Sequence, residues 1–249
     1  VQMLLGLKQV FRLPLRALQG FALSLGSLPS PACRCRRAQT LKVALPVLHT
    51  GEPLHLVVDS TGLKVYGEGE WKVRKHGWSK RRTWRKVHLT MDANTGQICA
   101  ALMTHQDEGD GEVLPDLLDQ IPADVAIDTA GGDGAYNTRP CHAQIAARAA
   151  TPSIPPREDA MPWPDSTPGA AWRNAAIDAI AQSSRSEWKQ ESGYHRRSLA
   201  ETLMYRLKIL TGPCLWARAI GSQATEVSIR AGVLNRMAAL GRPQSVRIA

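Results

Sequence analysis

KVHLTMDANTGQICAALMT, from Lys86 to Thr104, is the stretch from which the fold is read. Lys86–Asp92 and Ile98–Thr104 are short runs of β-branched and aliphatic residues of the kind that half-buried strands use. Between them Asn94-Thr95-Gly96 supplies the turn chemistry of a hairpin, so the two strands are expected to be antiparallel. Upstream, Leu54–Asp59 (LHLVVD) is another such run, and downstream Val125–Asp128 (VAID) is a fourth. Helices are expected before the fourth strand, over Glu112–Ile121, and behind it, over Arg139–Ala150. Strand, hairpin pair, helix, strand and helix make an α/β plan on a mixed sheet.

Outside this nucleus, residues 151–170 hold six prolines together with Ile154, Met161 and Trp163, and read as an irregular surface-running insertion. Helices are expected over Trp172–Trp188, from Arg197 to about Leu210, and over Ala224–Leu240, the last stopped by Gly241 and Pro243. Met3–Leu28 is apolar, but Lys8, Arg12, Pro14 and Arg16 interrupt it too often for a membrane span, so a basic helix pair is expected there.

The chain of 249 residues has material for one large domain or two small ones, and its 31 Lys plus Arg against 22 Asp plus Glu leave a net charge of +9. That excess suits a polyanionic partner, nucleic acid being the commonest. Residues 1–51 contain no acid at all. Lys72, Arg74, Lys75, Lys80, Arg81, Arg82, Arg85 and Lys86 crowd between Lys72 and His88, again without an acid, and Trp71, Trp78 and Trp84 are interleaved. A charge run is usually a solvated face; one with interleaved tryptophans fits phosphate contact plus packing or base stacking. Cys33, Cys35, Cys99, Cys141 and Cys214 are odd in number and form no C-x-x-C pair, so they suggest neither a disulfide framework nor a zinc ribbon and suit a reducing cytoplasm.

Three acids stand out. Asp59 closes its strand and precedes Ser60-Thr61-Gly62; Asp133 lies in the glycine-rich turn Gly131–Tyr136. Asp before Ser, Thr or Gly is more often a cap or turn former, so neither position is specific by itself. Glu201 shares a helical stripe with Tyr194, Arg197 and Lys208, all within about 60° of arc. Leu199, Leu203, Leu207 and Leu210 lie opposite. Taken alone, that stripe is also explained by an exposed i,i+4 pair of Arg197 with Glu201.

Tyr194-x2-Arg197-x3-Glu201-x6-Lys208 resembles the Y-R-E-K signature of bacterial insertion-sequence DDE transposases. DSTGLKVYGEGEWKVRKHG (Asp59–Gly77), RTWRKVHL (Arg82–Leu89) and DGAY (Asp133–Tyr136) are similar to blocks of the insertion-sequence-five group, as are IPPR (Ile154–Arg157), Arg173-Asn174 and VLNRM (Val233–Met237). The resemblance implies a ribonuclease-H-like mixed sheet flanked by helices. It also implies that Asp59, Asp133 and Glu201 hold two Mg²⁺ ions, with Mn²⁺ as a substitute, for metal-dependent cleavage of transposon ends and strand transfer into target DNA. Asp128, at a strand end, competes for the second position. Tyr194, Arg197 and Lys208 would meet phosphates near the cut.

Double-stranded DNA is then the partner, bound by a homo-oligomer in the bacterial cytoplasm at the nucleoid, with no membrane involved. Residues 1–50 are expected to be a basic helical, DNA-binding segment, shortened because the chain opens at Val1 and the Ser27–Leu41 stretch departs from the family; residues 51–249 are expected to be the catalytic domain. Asn137 stands where the family usually carries Asp. The competing readings are a catalytically idle remnant that binds DNA, and a ribonuclease-H-like structure-selective nuclease.

Overall fold

The computed structural model describes residues 1–23, 36–46, 51–65 and 84–241. In chain order these form α1 (Gln2–Phe11), α2 (Leu15–Leu23), β1 (Leu54–Val65), β2 (Trp84–Asp92), β3 (Ile98–His105), α3 (Leu114–Leu118) and β4 (Ile127–Gly131). There follow α4 (Arg139–Ala147), β5 (Thr151–Ser153), α5 (Ala170–Gln182), α6 (Arg185–Glu191), α7 (Ser198–Thr211), β6 (Cys214–Leu215) and α8 (Ile220–Gly241). The sheet runs β3-β2-β1-β4-β5, with β6 attached to β1. β2 and β3 are antiparallel, Lys86 facing Thr104 and Leu89 facing Ala101, while β1, β4 and β5 are mutually parallel neighbours. This is the α/β mixed sheet flanked by helices that a ribonuclease-H-like fold requires. Among the described residues no helix is long and apolar enough to cross a membrane.

Cα packing divides the chain into two compact units. One comprises residues 46–62 and 85–205 and contains the hairpin, most of the sheet and the principal core. That core joins Leu56 and Val58 of β1, Ala100 of β3, Leu114, Leu117 and Leu118 of α3, and Cys141 and Ile145 of α4. The hairpin turn is fixed by Asp92, whose carboxylate accepts the N–H groups of Asn94, Thr95 and His55 and the Thr95 hydroxyl at 2.6 Å. Burial alone would raise this carboxyl, but those donors outweigh it and hold it below the usual carboxylate range. The Pro-rich insertion is pinned by Trp163, whose backbone exchanges two hydrogen bonds with the Asn174 side chain and whose ring lies 4.1 Å below the Arg173 guanidinium. Asn137 accepts from Arg173 Nε at 3.1 Å, so this departure from the family pattern has a structural partner.

The other unit comprises residues 1–45, 63–84 and 206–249. In it α1 packs on α8 and on α2, with Leu4, Leu18 and Ala22 forming a small core. The helix pair expected at the N-terminus is therefore present, broken at Arg12, which adopts a left-handed φ of 52° ahead of Pro14. On α8, Glu226 and Arg230 form a buried ion pair one helical turn apart.

Four boundaries differ from expectation. β1 continues to Val65, because Lys64 and Val65 pair with β6, so Asp59 lies within a strand. β4 begins only at Ile127, since its parallel register with β1 starts there, so Asp128 is its second residue and does not end it. Trp172–Trp188 is divided at Ser184, whose hydroxyl accepts the Glu187 N–H at 3.1 Å and starts a new helix. Tyr194–Arg197 forms a 3-10 turn ahead of α7, because Gly193 redirects the chain with φ 67°, a conformation that disfavours side chains. The buried face of α7 is accordingly Ala200, Leu203, Met204, Leu207 and Thr211, while Leu199 is 39% exposed.

Candidate active site

Parallel register brings the first two acids together. Val57 of β1 faces Gly131, the last residue of β4, so Asp59, inside β1, and Asp133, in the turn after β4, each follow this pair by two residues. Asp59 accepts the Ser60 N–H at 2.8 Å. Asp133 has left its strand and caps the turn Gly134–Tyr136, accepting the Ala135 N–H at 2.9 Å. Glu201, in the first turn of α7, is bound by Arg197 Nη1 at 2.5 Å.

The charges act on one another. Burial pushes the Asp59 carboxyl above the usual carboxylate range; the Ser60 N–H and the positive charge of Arg197 oppose this, and the negative charges of Asp133 and Glu201 reinforce it. Burial likewise raises the Tyr194 phenol, which feels Arg197, Asp133, Glu201 and Asp59. Asp59, Asp133, Glu201, Tyr194 and Arg197 thus share one electrostatic neighbourhood within a single compact unit. Beside it opens a cleft of about 210 Å³, whose walls include His55, Ser153, Ser192, Tyr194, Arg196 and Arg197.

Asp128 stands apart from this group. Its carboxylate is turned to His55 Nδ1 at 3.3 Å and is half exposed. Lys208 lies seven residues beyond Glu201 on α7, in the other compact unit. Of the basic segment, Lys72, Arg74, Lys75, Lys80, Arg81 and Arg82 lie outside the described residues. Arg85 Nη1 is 3.1 Å from His105 Nδ1, and Lys86 Nζ is 3.0 Å from Asp110. Asp110 is a carboxylate that sequence reasoning passed over. It also faces the buried His88, whose pKa burial lowers to about 4. Its only signal in the sequence is Gly109 and Gly111 on either side, which let the turn pack closely.

All-carboxylate oxygens are the donors that a hard divalent cation prefers. Three mutually repelling acids, one of them resisting ionisation through burial, also gain from a nearby cation. The donor set therefore fits such an ion, although among the described residues no three acidic, His or Cys side chains are gathered closely enough to hold one as they stand. Glu201 is engaged with Arg197 instead.

Residues 50–235 match the protein-family model described as a transposase DDE domain, and residues 1–68 match a second model of the same description.

Proposed function

The chain belongs to the DDE transposase domain family, and from that premise we propose that it cleaves transposon ends and joins them to target DNA through Asp59, Asp133 and Glu201. Family membership makes it a transposase, a polynucleotidyl transferase acting on DNA, and such domains typically bind divalent metal ions. The observation that supports the reading is that the charges of Asp133 and Glu201 both act on Asp59, with β1 and β4 paired as far as Val57 and Gly131, two residues before each aspartate.

Asp59 and Asp133 would hold one ion, and Glu201 would serve a second by leaving Arg197. The bound pair of Mg²⁺ ions, for which Mn²⁺ substitutes, supplies activation of the attacking oxygen and stabilisation of the leaving one. Arg197, released from Glu201, donates to a phosphate beside the cut, where its fork suits the anion's geometry. Tyr194 offers a ring for stacking or a hydroxyl for a phosphate. Lys208 and the basic residues of Lys72–Lys86 would contact backbone phosphates, Lys208 as a point charge.

Within the family, the Tyr194-Arg197-Glu201-Lys208 spacing and the DGAY block support assignment to the insertion-sequence-five group with its Y-R-E-K signature. Double-stranded DNA is the partner at both ends of the reaction, bound by an oligomer of this chain at the nucleoid. The test is a duplex carrying the element's terminal repeat, incubated with the protein and Mg²⁺. Nicking at the repeat boundary followed by joining to a second duplex is the expected result; binding with no Mg²⁺-dependent cut would leave only a DNA-binding remnant.

A further inference from the structure

The Lys189 ammonium, on α6, lies over the ring of Tyr194, 5.3 Å from its centroid. Local sequence builds this contact. Ser184 starts α6 by accepting the Glu187 N–H, and Trp188, 6% exposed, anchors the helix with its ring 6.3 Å from that of Tyr194. Gly193, with φ 67°, then redirects the chain so that the Tyr194–Arg197 turn packs on α6. Glu187 and Glu191, two residues to either side of Lys189, lie about 160° round the helix from it.

The Tyr194 ring forms part of the wall of the cleft of about 210 Å³, together with Arg196 and Arg197. Arg197 is paired with Glu201 and Arg196 is bonded to Asn94. Among the described residues Lys189 has neither a carboxylate nor a hydrogen-bond partner, and the ring is its one contact. A cation on an aromatic face at a partly exposed site is held weakly, so the ammonium is placed without being neutralised. Two polar atoms of residues in the cleft wall, Ser192 Oγ and Arg197 Nε, are shielded from solvent and also have no hydrogen-bond partner among the described residues. Buried polar groups are almost always bonded, so unmet donors beside a basic cleft suit a site that an anionic ligand completes. Glu191 is the one acid in that wall, against the cations of Arg196, Arg197 and Lys189.

We propose that Lys189 is a DNA-binding residue whose ammonium contacts a backbone phosphate of the transposon end, and that the face of the Tyr194 ring positions it there. The ligand class is the phosphodiester of the DNA on which the family acts, met by a lysine as a point charge. The inference rests on the reading that the Arg197–Glu201 face lies against that DNA.

The experiment measures the affinity of wild type, Lys189→Gln, Lys189→Arg and Arg197→Met, as full chains, for terminal-repeat duplex over a range of salt concentrations without Mg²⁺. For Lys189→Gln the expected results are a plot of log K against log salt shallower by about 0.9 and binding weaker by about 8-fold near 0.1 M salt, both restored in Lys189→Arg. The loss should persist in a Tyr194→Phe background, where the ring remains, and shrink in Tyr194→Leu. An unchanged slope in Lys189→Gln beside a lowered one in Arg197→Met would overturn this inference alone. A loss that Lys189→Arg does not restore, or that is undiminished in Tyr194→Leu, would overturn the ring-held phosphate contact. Unchanged slopes in both Lys189→Gln and Arg197→Met would overturn the reading of that face as DNA-bound, and this inference with it.

Discussion

Replacing Arg197 by methionine removes the group that holds Glu201 away from an incoming ion. The pair is 2.5 Å apart, and the Glu201 side chain is 59% exposed. Coulomb's law in bulk water gives about 1.7 kcal/mol for unit charges at that separation. Exposed pairs retain only about 0.2–1 kcal/mol after side-chain entropy and screening, and the exposed value applies here. Metal binding must break this pair, so Arg197→Met is expected to tighten Mn²⁺ binding by about 1.4- to 5-fold. The same change weakens DNA binding, because a phosphate donor is lost. The assay is calorimetric titration at two salt concentrations, where the gain shrinks as salt rises. Arg196→Met, which severs a bond to Asn94 and leaves the Arg197–Glu201 pair in place, serves as the control. Weaker or unchanged Mn²⁺ affinity in Arg197→Met would refute the idea that Arg197 stands in for the cation.

Acid lability follows from two buried histidines. Burial holds His88 and His142 neutral, with pKa values lowered from 6.5 to about 4. A depressed folded pKa means their contribution is complete above pH 6.5 and is lost as pH falls from 6.5 towards 4, by up to about 3 kcal/mol each. Urea unfolding at pH 7 and pH 4.5 should show the fall, and His88→Gln should reduce it; identical midpoints would contradict the burial argument. In the other unit, Glu226 accepts the Trp216 and Ala217 N–H groups and neutralises the fully buried Arg230. Glu226→Ala strands that guanidinium, so thermal unfolding should lose about 3–5 kcal/mol, or about 6–20 °C in Tm. A shift under 2 °C would mean about the loss of an exposed pair and no more.

The sheet was legible because its strands carry their own chemistry: aliphatic runs flank Asn94-Thr95-Gly96, and Asp92 has donors within three residues to close the turn. Boundaries set by partners were not. β1 outruns LHLVVD because β6, some 150 residues later, offers Lys64 and Val65 a ladder. The Tyr194–Glu201 stripe was drawn on one continuous helix, yet Gly193 turns its first residues into a 3-10 segment, and only the i,i+4 relation of Arg197 to Glu201 remains as drawn. Asp59, Asp133 and Glu201 could be nominated from strand ends and motif blocks, whereas their common neighbourhood depends on the Val57–Gly131 register, which no local pattern encodes. Asp110 escaped notice because its partners, Lys86 and His88, come from β2, some twenty residues earlier.

The central claim is that Asp133, and not Asp128, is the second acid of the catalytic set. Asp128 sits inside β4 facing His55, while Asp133 follows the end of β4 and its charge acts on Asp59. The direct measurement is Mg²⁺-dependent cleavage of terminal-repeat DNA by Asp133→Ala and Asp128→Ala, with DNA affinity measured in parallel. The account predicts that Asp133→Ala binds DNA and does not cut, and that Asp128→Ala still cuts. Cleavage retained by Asp133→Ala and abolished in Asp128→Ala would contradict it.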